Sequence, residues 1–451
     1  MAVIFIECGS ALVSRFNTGI QRVVRNIVRE SGDVAITLGH QCVNVSFVDD
    51  DFYVLQEESS VKLQYFTNRI YNWFCMLAVK IDMILGKSSL RGFYSNPRRA
   101  LRFIYRWIYY KSLNFNERTS MKAFLDNETE KRQQLMPISK DPPVLLLLDA
   151  TWDERIWVAV DRFRDSGGHV YAVLYDLIPF SHPETVQEHT RKAHTSWWYE
   201  APLHIDSVIC ISQSVRNQFL QWQVEHNLAR QILPEHVSYF YLGSELPVNK
   251  SQIGNSVLNI LDTSQYFFLV VGSIEPRKNH GVVLDAFDIL WQEGLPVDLI
   301  IVGGHGWKSE DLIERIKTHP LLNKRLFLLR EVTDAELGLL YEKTVALIFA
   351  SIAEGFGLPI VEALQRGSEV ICSDIPVFHE IAGENAIYFD PFNPLFLAQV
   401  ISEKSVFTEG FSNSSKTITN TKVNWITWRE STEQLLSRVL LCEADSRGDK
   451  L

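Results

Sequence analysis

The amino-acid sequence predicts an α/β protein with two open, parallel sheets that are covered by helices. The main observation is that short apolar runs of strand type alternate with helical patterns throughout residues 266–373. A second alternation of the same kind runs through the amino-terminal half. The chain of 451 residues is too long for one ordinary core and suits two domains of roughly 200 residues each. Its hydrophobic content of 46% is that of a folded globular protein.

A polar stretch, Ser244–Asn259, marks the predicted boundary between the domains. The predicted segments are an amino-terminal domain at 1–245 with an insertion at about 60–140, a carboxyl-terminal domain at 260–402, and a last helix at 423–442. Residues 403–422 are rich in Ser, Thr and Asn and predict a flexible loop.

The amino-terminal half begins with a strand pattern at Val3–Glu7, followed after a loop by an amphipathic helix at Ile20–Glu30. Three further runs are apolar throughout, as expected for strands of a parallel sheet that is covered on both faces. These runs are Val144–Asp149, His169–Asp176 and Ser207–Ser212.

In the carboxyl-terminal half, strands are predicted at Tyr266–Gly272, Asp298–Gly304, Arg325–Arg330 and Val345–Ala350. A helix at Gly281–Trp291 follows the first strand. Another helix is expected to begin at Thr333, because Glu336 stands at capping-box spacing from it. In sheets of this kind ligands bind at the carboxyl ends of the strands, so the motifs at those ends are candidate sites.

The first candidate motif consists of two carboxylates eight residues apart, Glu354 and Glu362, around a glycine-rich turn that opens a helix. Gly355 and Gly357 let backbone amides approach a ligand, and Pro359 suits the first helical position. A helix N-terminus attracts anions, and a carboxylate one turn later can accept from a ribose diol. Taken alone, the motif is equally compatible with a capped surface helix that carries two ordinary glutamates.

The second candidate motif is the turn after the strand Tyr266–Gly272, where Arg277 and Lys278 stand next to the following helix. Charge-assisted hydrogen bonds from such residues to a diphosphate contribute on the order of 1.5–3 kcal/mol each. The alternative is a pair of solvated loop charges. Both motifs follow strands, and both are of a type that binds phosphate.

The chain resembles the retaining glycosyltransferases of family 4, densely over residues 266–391, in the segments VGSIEPRKNH, IIVGGHGW, REVTDAEL, FASIAEGFGLPIVEALQRG and CSDIPVFHEIAG. That family has the GT-B fold, in which two Rossmann-like domains face a cleft. The resemblance implies that residues 1–245 bind the acceptor and residues 260–402 the nucleotide sugar. It also implies that the last helix crosses back to the amino-terminal domain.

By motif position, the resemblance implies that Glu362 binds the donor ribose, Glu354 contacts the transferred sugar and Lys278 holds the diphosphate. Gly19 resembles a glycine that approaches the phosphates, and Val332 resembles a position whose backbone meets the nucleobase. The implied donor site is Gly19, Ser273, Arg277, Lys278, Val332, Glu354, Gly355, Phe356, Gly357, Leu358 and Glu362. The candidate catalytic residues are Glu354, Asp176, Lys278 and Arg277.

The chain departs from the family pattern at two positions. Ser273 stands where many members have arginine, and we hypothesise that Arg277 supplies that charge. Tyr175 replaces the usual histidine before Asp176. Because the segment that ends at Asp176 otherwise resembles the family's His-Asp segment, Asp176 is an acceptor-side candidate. The equally weighted alternative is that it caps the turn before Pro179.

The resemblance implies transfer of a sugar from a nucleoside diphosphate with retention, in which the leaving diphosphate helps to deprotonate the acceptor. Neither an Asp-x-Asp motif nor a His cluster stands beside the first motif, so we expect no metal and no cofactor besides the donor. The segments EPRKNH and TGIQRVVRN most resemble bacterial mannosyltransferases that use GDP-mannose to build O-antigen or capsular polysaccharide. The expected acceptor is lipid-linked or an oligosaccharide.

Three alternatives differ in donor or in class. Rhamnose or glucose can replace mannose, and a nucleotide-sugar-binding protein without catalysis would fit the departures at Ser273 and Tyr175. A nicotinamide-dependent enzyme is disfavoured, because no GxGxxG follows the strand at 266–272.

The net charge of −10 is unevenly distributed, since residues 61–113 contain ten Lys or Arg against Asp82 alone, a local charge of +9. This segment is also rich in aromatic residues, a combination that suggests peripheral contact with a membrane surface. Its apolar run Trp73–Leu85 is shorter than the ~20 residues of a spanning helix. Nucleic acid is not expected because no binding motif accompanies the patch, and simple packing of its helices on the domain is the alternative.

The six cysteines show no CxxC spacing, which is typical of reduced thiols in a cytosolic protein. Residues 1–7 run directly into a strand without a charged region or a cleavage site. We therefore expect a cytoplasmic protein, with peripheral contact to the cytoplasmic face of the membrane as the further possibility.

Overall fold

The computed structural model describes residues 1–13, 19–48, 50–55, 141–150, 152–245, 253–264, 266–409 and 423–446. Its strands are β1 (Val3–Glu7), β2 (Gln41–Val48), β3 (Asp51–Val54), β4 (Val144–Leu147), β5 (His169–Leu174), β6 (Ser207–Cys210), β7 (Val237–Tyr239), β8 (Phe267–Val271), β9 (Asp298–Val302), β10 (Leu326–Leu329), β11 (Ala346–Phe349), β12 (Glu369–Ser373) and β13 (Ala386–Phe389).

The described helices are α1 (Gly9–Val13), α2 (Gly19–Thr37), α3 (Ile156–Asp165), α4 (Ile178–Ser181), α5 (Glu188–His204), α6 (Gln213–Glu225), α7 (Asn255–Thr263), α8 (His280–Gln292), α9 (Glu310–Lys317), α10 (Asp334–Lys343), α11 (Leu358–Gln365), α12 (Pro376–Ala382), α13 (Pro394–Glu409) and α14 (Trp428–Ser446). The capping box predicted for α10 is present. Thr333 Oγ1 accepts from the Glu336 amide, and the Glu336 carboxylate accepts from the Thr333 amide.

The strands form two sheets, with the orders β3-β2-β1-β4-β5-β6-β7 and β10-β9-β8-β11-β12-β13. The six-stranded sheet is parallel throughout. In the seven-stranded sheet β3 runs antiparallel to β2, while β1 is parallel to both of its neighbours. The predicted α/β fold of two parallel sheets is confirmed. The predicted insertion at about 60–140, with its basic part at 61–113, lies outside the described residues.

The chain divides into two compact units, Met1–Tyr171 and Ala172–Leu451. This division does not coincide with the domain limits predicted from the sequence, which stay a prediction. In the first unit, every residue of β1 is buried, and α2 contributes Val23, Val24 and Ile27 to the core. In the same unit, Asp149 follows β4 and accepts a hydrogen bond from the Ala11 amide of α1.

In the second unit, the six-stranded sheet is apolar on both faces, as helices on each side require. Phe268, Ile301 and Ile348 of three strands pack with Phe287 and Leu290 of α8 in one buried cluster. This packing holds the carboxyl ends of β8 and β11, where both candidate motifs begin, at fixed positions.

Backbone packs directly on backbone where the chain leaves β8 and β9. A Cβ atom at Gly303 would lie 1.9 Å from the carbonyl oxygen of Gly272, so a side chain cannot be accommodated there. Gly272 itself has a φ of 149°, in the region that favours glycine. Its amide donates to Val302 O at 2.9 Å, and the Ile274 amide donates to Gly304 O at 2.9 Å. The turn that carries Arg277 and Lys278 is thus fastened to its neighbour.

The segment 423–428, just before α14, packs on the chain that follows β7. Trp425 Nε1 donates to Leu242 O at 2.7 Å, and Gln365 Nε2 of α11 donates to Trp425 O at 3.2 Å. A Cβ at Gly243 would lie 2.5 Å from the backbone of Trp428, so this contact is also too close for a side chain.

None of the described helices combines the length and the apolar content needed to cross a membrane. Cys8, Cys210 and Cys372 are buried free thiols, and Cys42 is a half-buried free thiol.

Replacing Gly303 by alanine is expected to lower the free energy of unfolding by about 1–3 kcal/mol, because a rigid backbone carbonyl must move to make room. Urea unfolding followed by circular dichroism measures this change. Gly304→Ala is the matched control, since no atom lies within 4 Å of a Cβ at that neighbouring position. Equal loss of stability in both variants would contradict the role given to the backbone contact.

Candidate active site

The first motif forms a turn between β11 and α11, and Gly357 is the residue that makes it possible. It has φ 116° and ψ 52°, a left-handed conformation that disfavours a side chain, and it stands immediately before the helix. The helix begins at Leu358, one residue earlier than the expected start at Pro359. Gly367 lies two residues after the helix ends at Gln365 and has a φ of 76°, a left-handed conformation that commonly ends helices. Residues Glu354–Gly357 are called the clamp turn below.

The clamp turn presents Glu354 to the two cations of the second motif. Its Oε2 lies 2.7 Å from Arg277 Nη1, and its Oε1 lies 2.5 Å from Lys278 Nζ. The side chains of Glu354, Arg277 and Lys278 are 11%, 18% and 14% exposed, so the three charges are largely withdrawn from water. The two motifs, predicted separately, therefore form one site.

Further contacts fasten the turn after β8 to the turn after β11. Arg277 Nη1 donates to Ala353 O at 2.9 Å, and Arg277 O accepts from the Ile352 amide at 2.9 Å. Arg277 Nη2 also pairs with Glu275 at 3.0 Å. Lys278 Nζ lies 4.9 Å above the ring of Phe349 in β11, a cation–π contact. These contacts orient both cations toward the clamp turn.

The charges in this cluster shift one another's pKa values. Burial alone would raise the pKa of Glu354, but the charges of Arg277 and Lys278 lower it to about 2. Burial alone would lower the pKa of Arg277, but Glu354 and Glu275 raise it above its usual value. The pKa of Lys278 is lowered, because burial outweighs the attraction of Glu354. At neutral pH Glu354 is ionised and held between Arg277 and Lys278.

Asp176, which follows β5, adjoins the same cluster. Burial raises the pKa of its carboxyl group, and Arg277 is the main opposing charge. Its Oδ1 accepts from the Ile178 amide at 3.0 Å, which is the turn-capping role considered from the sequence. The predicted acceptor-side role stays a prediction. A Cβ at Gly355 would lie 2.0 Å from Tyr175 O, so the clamp turn passes directly over the end of β5 and requires glycine.

Glu362 lies in α11 with only 2% of its surface exposed. Its Oε2 accepts a hydrogen bond from Tyr341 Oη of α10 at 2.9 Å, which fixes the direction of the carboxylate. Sequence reasoning missed Tyr341, because no motif or spacing relates a tyrosine in one helix to a glutamate in the next.

The other predicted donor-site residues are not members of the ion pairs of Glu354. The ring of Phe356 is buried against Tyr241 and Trp425, at centroid distances of 6.3 and 6.0 Å. Ser273 is exposed in the turn after β8, and Val332 is half-buried just before α10. Gly19 is exposed at the start of α2 in the first unit. The predicted roles of these residues, and of Leu358 at the start of α11, stay predictions.

Sequence reasoning also missed Ser212, which is fully buried and donates from Oγ to the carbonyl oxygen of Gly355 at 2.8 Å. Its place between a strand and a helix was the only local signal. Within the described part of the chain, there is no group of three or more His, Cys, Asp or Glu side chains that could hold a metal ion. Metal independence stays a prediction.

Acid unfolding tests the charge state of Glu354. Its carboxylate has a folded-state pKa below its ordinary value of 4.5, so its stabilisation is complete above about pH 4.5 and is lost as the pH falls through about 2. The loss amounts to at most ~3 kcal/mol. Urea titrations at several pH values should show a steeper decline below pH 4.5 for the unchanged protein than for Glu354→Gln. Glu384→Gln, at an exposed position, is the control, and a decline as steep in Glu354→Gln as in the control would contradict the ion pairs.

Comparisons with known proteins match the part of the chain that contains both motifs. Residues 258–403 match the family model described as "Glycosyl transferases group 1". The chain is 37% identical over 285 residues to the serotype-specific mannosyltransferase WbdA of Escherichia coli, covering 62% of this chain and 34% of the relative. It is 40% identical over 126 residues to the O-antigen chain mannosyltransferase RfbU of Salmonella typhimurium, covering 28% of this chain and 34% of the relative. The chain thus spans about a third of the length of the curated relatives it matches.

Among solved structures, the Anabaena protein HepE in complex with UDP is similar, with a TM-score of 0.52 and 15% identity. The similarity covers 99% of both chains, and at this identity it concerns the fold. Residues 258–403 therefore match the glycosyl transferases group 1 family, and the chain as a whole has a GT-B fold.

Proposed function

We propose that this chain transfers a hexose, in the first place mannose from GDP-mannose, onto a lipid-linked or polysaccharide acceptor in the synthesis of a cell-surface glycan such as O-antigen. The observation that carries the proposal is the cluster of Glu354, Arg277 and Lys278 at the carboxyl ends of β8 and β11. It combines two cations suited to a diphosphate with one carboxylate suited to sugar hydroxyls, next to a helix N-terminus.

The donor would enter this cluster by ion exchange. In the structure Arg277 and Lys278 both pair with Glu354. A diphosphate carries more negative charge than this one carboxylate. When the diphosphate takes over both cations, Glu354 is released to accept hydrogen bonds from the sugar. The binding of the donor thereby orients the carboxylate that contacts the transferred group.

Retention follows because the acceptor hydroxyl attacks the sugar on the face from which the diphosphate departs. Arg277 and Lys278 stabilise the charge that develops on the departing diphosphate. The diphosphate oxygen then accepts the proton of the acceptor hydroxyl, which attacks on the same face. Asp176, next to the clamp turn, is the candidate for orienting the acceptor.

Mannose as the sugar, and the cell-surface role, are supported by the relatives, which are named as mannosyltransferases and, for RfbU, as acting in the O-antigen chain. Guanine as the base follows from the resemblance of EPRKNH and TGIQRVVRN to users of GDP-mannose. We place the reaction in the cytoplasm without a metal, with residues 61–113 as the candidate contact to the membrane surface. Rhamnose and glucose donors are the alternatives for this reaction.

A second candidate function is binding of a nucleotide sugar without transfer. It is favoured by Ser273 and Tyr175, which stand where the family often has basic residues. Such a protein would bind the donor through Glu362 and Lys278 and would not turn it over.

The donor site is tested by thermal unfolding in the presence of GDP, UDP, dTDP and GDP-mannose. A ligand at 100 times its dissociation constant adds ~2.7 kcal/mol to stability, so a bound nucleotide raises Tm measurably. We expect the guanine ligands alone to raise Tm, and Glu362→Gln to abolish the rise while keeping the bond from Tyr341. Glu342→Gln, a partly exposed partner of Arg366, is the control. No rise with any nucleotide in the unchanged protein would refute the donor site.

The role of Glu354 separates transfer from binding. In Glu354→Gln the two cations lose the carboxylate that they share, although Arg277 keeps Glu275, so GDP is expected to bind at least as tightly as before. Transfer of mannose should fall about 10²–10³-fold, because a preorganised contact to the reacting sugar is lost. Calorimetry and a radiolabelled transfer assay measure the two effects, with Glu384→Gln as control. If the unchanged protein binds GDP-mannose but transfers no sugar, the binding-only alternative replaces the proposal.

A further inference from the structure

A carboxylate outside the cluster caps a helix that is distant in sequence. Glu380 of α12 accepts from the amides of Gln213 and Ser214, at 2.6 and 2.7 Å, and from Ser214 Oγ at 2.5 Å. The first amides of a helix have no partner within the helix, and negative charge is favourable at that end. Glu380 thus supplies the first turn of α6 with its hydrogen-bond acceptors.

The residue just before α6 connects this cap to the clamp turn. Ser212 Oγ accepts from the Val215 amide at 3.1 Å and donates to the carbonyl oxygen of Gly355 at 2.8 Å. The amides of the first turn of α6 are therefore divided between Glu380 and Ser212. Moving this turn would move the hydroxyl that holds Gly355, the neighbour of Glu354.

A second connection runs through Tyr241, which follows β7. Burial of the phenol and the charge of Glu380 raise the pKa of Tyr241 above its usual value. The ring of Tyr241 packs against Phe356 at 6.3 Å and against Trp425 at 5.8 Å. By hydrogen bonds, Glu380 connects to Gly355 through Gln213 and its chain neighbour Ser212.

We propose that Glu380 is a positioning residue for the reaction, which holds the first turn of α6, and with it Ser212, against the clamp turn and so keeps Glu354 in place beside Arg277 and Lys278. The proposal deepens the proposed function and rests on it for the chemical meaning of Glu354. A purely structural cap would stabilise α6 and leave the clamp turn unaffected.

Hydrogen exchange tests the proposal without any assumption about activity. In Glu380→Gln, one acceptor oxygen is replaced by an amide group that cannot accept. We expect exchange to accelerate at least tenfold at residues 213–214 and also at residues 355–357 of the clamp turn. Glu430→Gln is the matched control, because Glu430 caps α14 through the Thr427 amide at 2.7 Å and lies outside the clamp turn. Acceleration confined to residues 213–214 would overturn the proposal.

Kinetics of mannose transfer provide the second readout. We expect Glu380→Gln to lower kcat at least tenfold with less than a threefold change in the donor KM, and Glu430→Gln to leave kcat unchanged. If Glu380 acts through Ser212, the double variant with Ser212→Ala should lose little more kcat than either single variant. Multiplying losses would overturn this route. If the unchanged protein transfers no sugar, the proposed function fails, and the exchange result still decides whether Glu380 positions the clamp turn.

Discussion

The arrangement of this site depends on the burial of the Glu354 carboxylate between Arg277 and Lys278. A buried charge without a partner is strongly destabilising, so these three side chains must be placed together or not at all. In keeping with this requirement, the turns after β8 and β11 are joined by the bond from the Ile352 amide to Arg277 O, and glycine stands at position 355, where the clamp turn passes over Tyr175 O. The sheet supplies rigid strand ends, and the ion pairs fix which turns meet at them.

Under the proposed function, the same interaction would link stability to donor binding. In the structure, Glu354 satisfies the cations that a diphosphate would use, so the protein does not hold two buried positive charges unpaired while it waits for a donor. The free energy of donor binding would then be the difference between two terms: the pairing of the cations with the diphosphate, and their pairing with Glu354 that is lost. A modest affinity for the donor would be consistent with strong individual contacts.

Much of the fold follows from the sequence because it depends on local signals. The strand patterns mark most of the parallel strands within one or two residues, and the spacing of Thr333 and Glu336 identifies the start of α10. The clamp turn was recognised from its glycines, although Gly357 takes the left-handed conformation before the helix and shifts its start to Leu358. In these cases neighbours in sequence are also the partners in space.

The partners that the sequence did not reveal are distant along the chain. Ser212 and Gly355 are 143 residues apart, and Gln213 and Glu380 are 167 residues apart. The ion pair between Glu354 and Lys278 joins residues that are 76 positions apart. Such pairs leave no periodicity or spacing to read, because their meeting depends on the packing of complete sheets. Tyr341 and Glu362 belong to the same class, with adjacent helices as the only connection.

The docking of residues 423–428 and α14 on the chain after β7 has a consequence for recombining this protein with its relatives. Sequence similarity alone would place the end of the carboxyl-terminal domain at residue 403, the last residue that the family model matches. Ser431 Oγ, however, donates to Tyr241 O at 2.7 Å, and Gly243 has no room for a side chain beside Trp428. The carboxyl-terminal helix therefore belongs physically to the first sheet. A chimera that exchanges residues 258–403 must keep α14 from the same parent as β7, although α14 lies beyond the exchanged segment in sequence.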